Sequence, residues 1–292
     1  MKIGYFPGCS LGGTAKEFDI SLRAVMKALG VELVEIDDWS CCGASSAHAS
    51  SHLLAVSLPA RNLLLAGQQG LTEIVAPCAA CYSRLVIAQH EVANDAGLKA
   101  KVERAIESPL PAGEIRILNV VQLFERIGPE KLQAAKRVDL AGLSIAAYYG
   151  CLLVRPHEIT GFDDVEQPVI MDAILAATGA RLVDWNFKTE CCGGAHSISH
   201  KPIVTKLSKK ILDDARQSGA NVVAVACPMC HSNLDMRQVE LRKEGGHQDL
   251  PVLYLTELLG LALGLGRKEL GLDLHFVRLP EQAQTAPQEN RA

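Results

Sequence analysis

The amino-acid sequence predicts an α/β protein built twice over, with two pseudo-symmetric halves that each form a mostly parallel sheet flanked by helices. Three observations carry this expectation. The ten cysteines fall into two groups of five in the same order, Cys9, Cys41, Cys42, Cys78 and Cys81, then Cys151, Cys191, Cys192, Cys227 and Cys230, spaced C-x31-CC-x35-CxxC and C-x39-CC-x34-CxxC. The flanks repeat too: PGC answers YGC, CCGA answers CCGG, and IVAPCAAC answers VVAVACPMC. Short apolar, β-branched segments alternate with helical patterns on the same beat in both halves, which implies parallel strands covered on both faces.

In the first half, Lys2–Phe6, Glu32–Ile36 and Glu73–Ala76 read as strands, with helices at Ala15–Leu29 and His52–Ala66. The stretch Lys99–Leu140, richer in charge and proline, carries a further strand at Ile115–Leu118 and a helix. The second half gives strands at Ser144–Tyr149, Arg181–Asp184 and Asn221–Ala226, with helices around Val169–Thr178 and Ile203–Ser218. A repeat of about 149 residues is too long for a solenoid unit, so it predicts a duplicated domain that pairs with itself across a pseudo-twofold axis rather than two beads on a string. The expected domains are 1–140 and 141–279, followed by a disordered tail over 280–292, where Pro, Gln, Glu and Asn show no periodicity.

Of the 292 residues, 48% are hydrophobic and 21% charged, ordinary values for a chain that can bury a core. The net charge of −4 supplies no basic field for phosphate backbones or anionic lipid, so nucleic acid is not an expected partner. Neither a signal-peptide stretch before Gly8 and Cys9 nor an apolar run of membrane-spanning length is found; Leu143–Val154 and Leu258–Leu265 are too short. A cytoplasmic location is expected, and there structural disulfides are rare, so ten cysteines point to metal binding or redox chemistry.

The cysteines sit at or just beyond predicted strand ends, the edge where open α/β sheets bind ligands. Cys81 and Cys230 fall near helix starts, where unpaired N–H groups stabilise a thiolate. A disulfide framework would not explain adjacent pairs at matching places. Structural zinc takes four thiolates and leaves one over in each half. An iron–sulfur assembly suits several soft thiolates from separate loops, and the diverging side chains of Cys41–Cys42 and of Cys191–Cys192 suit more than one iron. Gly8, Gly43, Gly150, Gly193 and Gly194 are expected to let backbone approach sulfur, and Pro77 and Pro228 to end strands.

These motifs resemble the B-type subunits of heterodisulfide reductase and their relatives, proteins with two cysteine-rich CCG domains. The family pattern is close to C-x31–39-CC-x35–36-CxxC, which the first half satisfies and the second misses by one residue in its last spacing. The likeness extends to RNL at Arg61–Leu63, to CPMCH at Cys227–His231 and to LYLTELLGLALG near the end. It implies two non-cubane iron–sulfur clusters, one on Cys9, Cys41, Cys42, Cys78 and Cys81 and the other on Cys151, Cys191, Cys192, Cys227 and Cys230, with a disulfide reduced, or a thiol oxidised, between them. Two partners are implied as well, a ferredoxin-like C-type subunit, with a flavin-bearing A-type subunit upstream of it. The chain itself has neither a C-x2-C-x2-C-x3-C run nor a GxGxxG fingerprint, and so no nucleotide cofactor of its own is expected. Where the methanogen form is expected to carry CCP, this chain has Cys41-Cys42-Gly43-Ala44, which leaves substrate and direction open. The alternatives are a module whose metals only relay electrons or hold structure, and a CCG subunit of a lactate, glycolate or glycerol-phosphate oxidoreductase passing electrons towards quinone.

His48, His157, His196, His200 and His231 lie near the motifs; His196, just after CCGG, is the preferred proton donor to a departing thiolate. Lys201, Lys206, Lys209 and Lys210 recur along one helix and read as a solvated face or an attraction for anions. Trp39 and Trp185 each precede a CC pair, where they either shield a cluster or pack in the core.

Overall fold

Strands buried on both faces need apolar side chains at every position, and Val222–Val225 meets that requirement with four fully buried residues. A computed structural model of the chain describes residues 1–111, 113–245 and 248–280; beyond Pro280, the tail expected at 280–292 lies outside the described residues. The first sheet contains β1 (Lys2–Tyr5), β2 (Glu32–Glu35), β3 (Glu73–Val75) and β4 (Arg116–Leu118) in the order β2-β1-β3-β4. The second contains β5 (Ser144–Tyr148), β6 (Arg181–Leu182), β7 (Val222–Val225) and β8 (Val252–Tyr254) in the order β6-β5-β7-β8. All pairings are parallel. The expected α/β fold with two pseudo-symmetric sheets is therefore present.

In each sheet the chain runs outward on one side of its first strand and then crosses to the other. That places a topological switch point between β1 and β3, and again between β5 and β7, the position where such sheets open a crevice at their carboxyl ends. Gly4 allows β1 to lie tightly on β3, because a Cβ there would meet Ile74 Cγ2 at 2.7 Å and the Glu73 carbonyl at 2.9 Å. The helices fall close to their predicted spans, at Lys16–Ala28, His52–Gln68, Ile170–Ala176 and Lys201–Gln217. The last begins earlier than expected because Pro202 sits in the first turn, where a missing N–H costs nothing. Strand β8 is not among the strands expected from sequence: three strand residues, Val252–Tyr254, pass directly into the helix Leu255–Ala262 with no turn residue between them. Among the described residues no helix is long and apolar enough to cross a membrane.

The halves pair rather than string out. The Lys16–Ala28 helix of the first half packs on Leu255–Ala262 of the second, and Ile170–Ala176 of the second packs on Val120–Ile127 of the first. The exchange of equivalent elements is the signature of an isologous, pseudo-twofold interface. One continuous core runs from Ile3 to Leu279 through both sheets. At the seam Phe18 stacks on Tyr254 with ring centroids 4.2 Å apart, Ser21 Oγ meets Thr256 Oγ1 at 2.6 Å, and Tyr254 donates to Glu17 Oε1 at 3.4 Å.

A buried ionic group closes the same seam. His275 donates from Nε2 to Glu257 Oε1 (2.7 Å) and from Nδ1 towards the Val252 carbonyl (3.0 Å) and His231 Nε2 (2.9 Å). Burial opposes charge on His275, but Glu257, aided by Asp235 and Glu17, outweighs it and pushes the imidazole up to about 9. Burial likewise pushes the Glu257 carboxyl up, against the pull of His275. Asp235 accepts the Phe276 and Val277 backbone N–H groups, so the pair and Asp235 together anchor the segment around residue 275.

Because the folded imidazole binds its proton more tightly than the unfolded one, whose ordinary value is 6.5, its contribution is complete below that pH and disappears as pH rises through about 9. The expected outcome is that wild-type protein loses on the order of 3 kcal/mol more stability between pH 6 and 9.5 than a His275→Gln variant does, measured by urea unfolding at fixed ionic strength. Parallel pH profiles for the two proteins would refute this.

Candidate metal centre

Each half delivers its five cysteines by the same steps. Cys9 lies in the short helix Gly8–Gly12 after β1, Cys41 and Cys42 in the loop after β2, Cys78 at the N-cap of the helix Ala79–Asn94 after β3, and Cys81 in that helix's first turn. In the second half Cys151 follows β5, Cys191 and Cys192 follow β6, and Cys227 caps the helix Pro228–Met236, whose first turn holds Cys230. All ten therefore lie at the carboxyl edges, around the two switch points.

All ten are free thiols, and the sulfur separations are those of co-ligands rather than of disulfides, whose bond is about 2.05 Å. Cys42 Sγ stands 3.3 Å from Cys81 Sγ and Cys41 Sγ 3.8 Å from Cys9 Sγ; in the second half Cys192 Sγ is 3.5 Å from Cys230 Sγ. Two thiolates on one tetrahedral ion at ~2.3 Å each stand about 3.8 Å apart, so these spacings fit a shared metal group. The side chains of each adjacent pair diverge as expected. Cys42 and Cys192 turn inward and are buried, whereas Cys41 and Cys191 are exposed and receive the Gly43 and Gly193 N–H groups at 3.4 Å. Across the seam Cys78 and Cys227 stand close enough to perturb each other's thiols, Cys78 being pushed up and Cys227 drawn down.

The closely spaced thiols do not behave alike. Cys81 and Cys230 are pushed up by sulfur partners and burial. Cys42 is drawn down to about 7 by the Cys81 S–H, with help from the Ala44 N–H and the Arg84 guanidinium. Cys227 is held well below the usual thiol range by Cys230 and Cys78, together with the Met229 and Cys230 N–H groups at the helix start. Cys191 is lowered to about 6, chiefly by the neighbouring Cys151 thiol. Five soft donors per half, split between an inner pair, an outer pair and a Cys at the seam, suit a polynuclear group better than a single ion.

The glycines have specific tasks. A Cβ on Gly8 would stand 2.8 Å from Cys81 Sγ, and one on Gly150 3.0 Å from Cys230 Sγ, so both let backbone approach sulfur. Gly43 (φ +72°) and Gly193 (φ +98°) need left-handed backbone and would strike Ala47 and Val204 at 2.7 Å. Gly194 is also left-handed (φ +50°); open space surrounds its Cβ position, and its backbone N–H helps to lower Cys192. Pro77 follows β3 as expected; Pro228 instead opens a helix, with its ring at the first helical position.

His196 is exposed on a short 3-10 turn, edge-on to His200, and its charge acts on Cys191. His200 is exposed at the start of the Lys201–Gln217 helix, and His157 is exposed on a separate turn. His48 accepts from Arg84 Nη1 at 3.2 Å. His231 is buried against Tyr254, with its pKa held well below the usual value by burial and by His275, and belongs to the ionic group at the seam. His231, Asp235 and His275 do converge, with ligand atoms within 4.8 Å, but these atoms already engage one another and backbone groups. The lysines face solvent: Lys201 pairs with Glu240, Lys209 with Asp213, and Lys210 lies over Phe187. Trp185 is buried and donates to the Ala147 carbonyl, while Trp39 packs edge-on to Phe6. Asn233, which no sequence motif singles out, donates from Nδ2 to Cys192 Sγ (3.5 Å) and to the Gly194 carbonyl (3.0 Å). A cavity of about 640 Å³ beside the Ala79–Asn94 helix is lined by none of the ten cysteines.

The chain is similar to several known proteins. A family model described as a cysteine-rich domain, CCG, matches twice, over residues 3–86 and 145–235. The chain is 32% identical over 279 residues to the 8-methylmenaquinol:fumarate reductase membrane anchor subunit of Wolinella succinogenes, covering 94% of this chain and 97% of that one. It is 29% identical to the B-type subunit of the ferredoxin/F(420)H(2)-dependent CoB-CoM heterodisulfide reductase of Methanosarcina acetivorans, over 95% of this chain and 94% of that one. A protein of Archaeoglobus profundus that is itself like the heterodisulfide reductase B-type subunit shares 28% over 90% and 91% of the two chains. In fold, a hypothetical protein from Helicobacter pylori superposes with a TM-score of 0.76 at 12% identity, over 96% of this chain and 52% of that one. Two matched CCG regions, each the seat of one five-cysteine set, place the chain in the CCG cysteine-rich domain family, in the two-domain form shared with the B-type subunits of heterodisulfide reductase.

Proposed function

We propose that this chain is the iron–sulfur subunit of a heterodisulfide reductase-like complex, interconverting a thiol and a disulfide between two non-cubane clusters. One cluster would be held by Cys9, Cys41, Cys42, Cys78 and Cys81 in a unit over 1–140, the other by Cys151, Cys191, Cys192, Cys227 and Cys230 in a unit over 141–279. The observation that supports the reading most directly is the matching sulfur geometry of the two halves, with Cys42 Sγ 3.3 Å from Cys81 Sγ and Cys192 Sγ 3.5 Å from Cys230 Sγ at the equivalent carboxyl edges. Breaking an S–S bond takes two electrons, and two bound clusters supply one each. The buried cysteines keep water from the inner sulfurs, while exposed Cys9, Cys41 and Cys191 leave an outer side open to substrate. His196, exposed beside Cys191, would hold the proton for a departing thiolate. Electrons would reach the chain through a ferredoxin-like C-type subunit, itself served by a flavin-containing A-type subunit.

A second reading has specific support in the Wolinella relative, a subunit of a quinol-linked reductase. In that reading the chain relays electrons towards or from quinone and leaves thiols unchanged. Thiol ligands separate the two: a disulfide-converting centre is expected to change its EPR signal when a thiol binds, and a pure relay is expected to keep its signal.

Anaerobically purified protein is expected to carry iron and acid-labile sulfide for two multi-iron clusters, with about half lost in Cys42→Ser and in Cys192→Ser. Zinc alone after anaerobic reconstitution would overturn the reading. Gly8→Ala, which places a methyl on Cys81 Sγ, is expected to halve iron content and cost about 1–3 kcal/mol, checked by metal analysis and denaturant unfolding. His196→Ala is expected to slow thiol/disulfide conversion about a hundredfold in the assembled complex with iron content unchanged; full activity would exclude the proton-donor role.

A further inference from the structure

The two five-cysteine sets repeat, but their surroundings do not. Three residues after the last cysteine of each half, one helical turn along, stands Arg84 in the first half and Asn233 in the second. Asn233 reaches back to the CC loop of its own half, and Arg84 to His48 in the short helix that follows the first-half loop. Arg84 is half-buried, donates to His48 Nδ1 at 3.2 Å and places its charge on Cys42. Asn233 is 1% exposed and neutral, with its amide committed to Cys192 Sγ and the Cys192 and Gly194 carbonyls. A second position differs in the same sense. Immediately before the CC pair stands Ser40 in the first half and Glu190 in the second, and the Glu190 carboxylate acts on Cys191.

A cation beside an electron-accepting centre stabilises the added electron, and an anion destabilises it. The neutral amide of Asn233 also stabilises negative sulfur, but without the net charge that Arg84 carries. Resting on the cluster reading above, we infer that Arg84 and Glu190 make the two centres electrochemically unequal, with the Cys9–Cys81 centre the higher in potential. A single electron shared by the pair then resides in the first half: its transfer oxidises the Cys151–Cys230 centre and reduces the Cys9–Cys81 centre, with no other reactant. Substrate that must bind first to the more oxidising or the more reducing side meets two distinguishable half-sites, although the ligand sets are alike.

The test is a potentiometric titration of the reconstituted full-length chain followed by EPR at pH 8, above the ordinary imidazole range. Signals are assigned to the halves with Cys42→Ser and Cys192→Ser. In wild type the first-half centre is expected to reduce first. Arg84→Asn, which copies the second half, should shift only that centre, changing its oxidised-to-reduced ratio at a fixed potential about tenfold, or ~59 mV for one electron, towards harder reduction. Arg84→Lys should restore most of the difference, and Glu190→Ser, at an exposed position that tolerates exchange, should make the second-half centre easier to reduce. Equal potentials in wild type, or no shift in both Arg84→Asn and Glu190→Ser, would overturn the inference while leaving cluster binding intact. A protein with no iron–sulfur signal at all would overturn the cluster reading and this inference together.

Discussion

Cys78 and Cys227 stand close enough across the seam between the two sheets' carboxyl edges to shift each other's thiols, and the arrangement of the rest of the molecule follows from keeping that seam closed. Each of these residues caps a helix just beyond a central strand, so its position is set by the sheet and not by loop conformation. Holding two such caps together requires the pseudo-twofold packing of Lys16–Ala28 on Leu255–Ala262 and of Val120–Ile127 on Ile170–Ala176. The continuous apolar core supplies the driving force, and the stacked Phe18 and Tyr254 fix how the halves meet.

Burying polar groups at such a seam is costly unless they are paired, and here they are. Glu17, Tyr254, His231, His275, Glu257 and Asp235 form a connected group that draws on both halves and on the segment around residue 275. This group borders the second cysteine set, since His231 follows Cys230 directly. The same helix turn thus carries a sulfur towards the cysteine seam and an imidazole towards the domain interface, so rigidity at one is inherited by the other.

Gene duplication explains why the ligand sets match, yet equal ligands do not make equal centres. Exchange of Arg for Asn and of Ser for Glu at equivalent positions leaves sulfur geometry nearly unchanged while altering the local charge. Such charges sit outside the ligand set, where they can be exchanged without removing a sulfur, and groups that touch the ligands rather than the metal are what tune a metal group's electronics.

Much of this was legible in the residues themselves. The order of the cysteines, their glycine neighbours and the alternating strand and helix patterns arise from local rules: backbone sterics, periodicity and the need for several soft donors. Those rules indicate the duplicated α/β fold and bring the five cysteines of each half to one edge. Tertiary structure alone decided which sulfur meets which, because the partners Cys42 and Cys81, or Cys192 and Cys230, are far apart in the chain and are joined only by sheet order. It also decided that His231 is a buried partner of His275 rather than a group at the mouth, that β8 is a strand, and that Arg84 meets His48 and Asn233 the CC loop of its half. A lone arginine or asparagine on a helix has no sequence signature, since its partner is set by packing between elements and not by its neighbours along the chain.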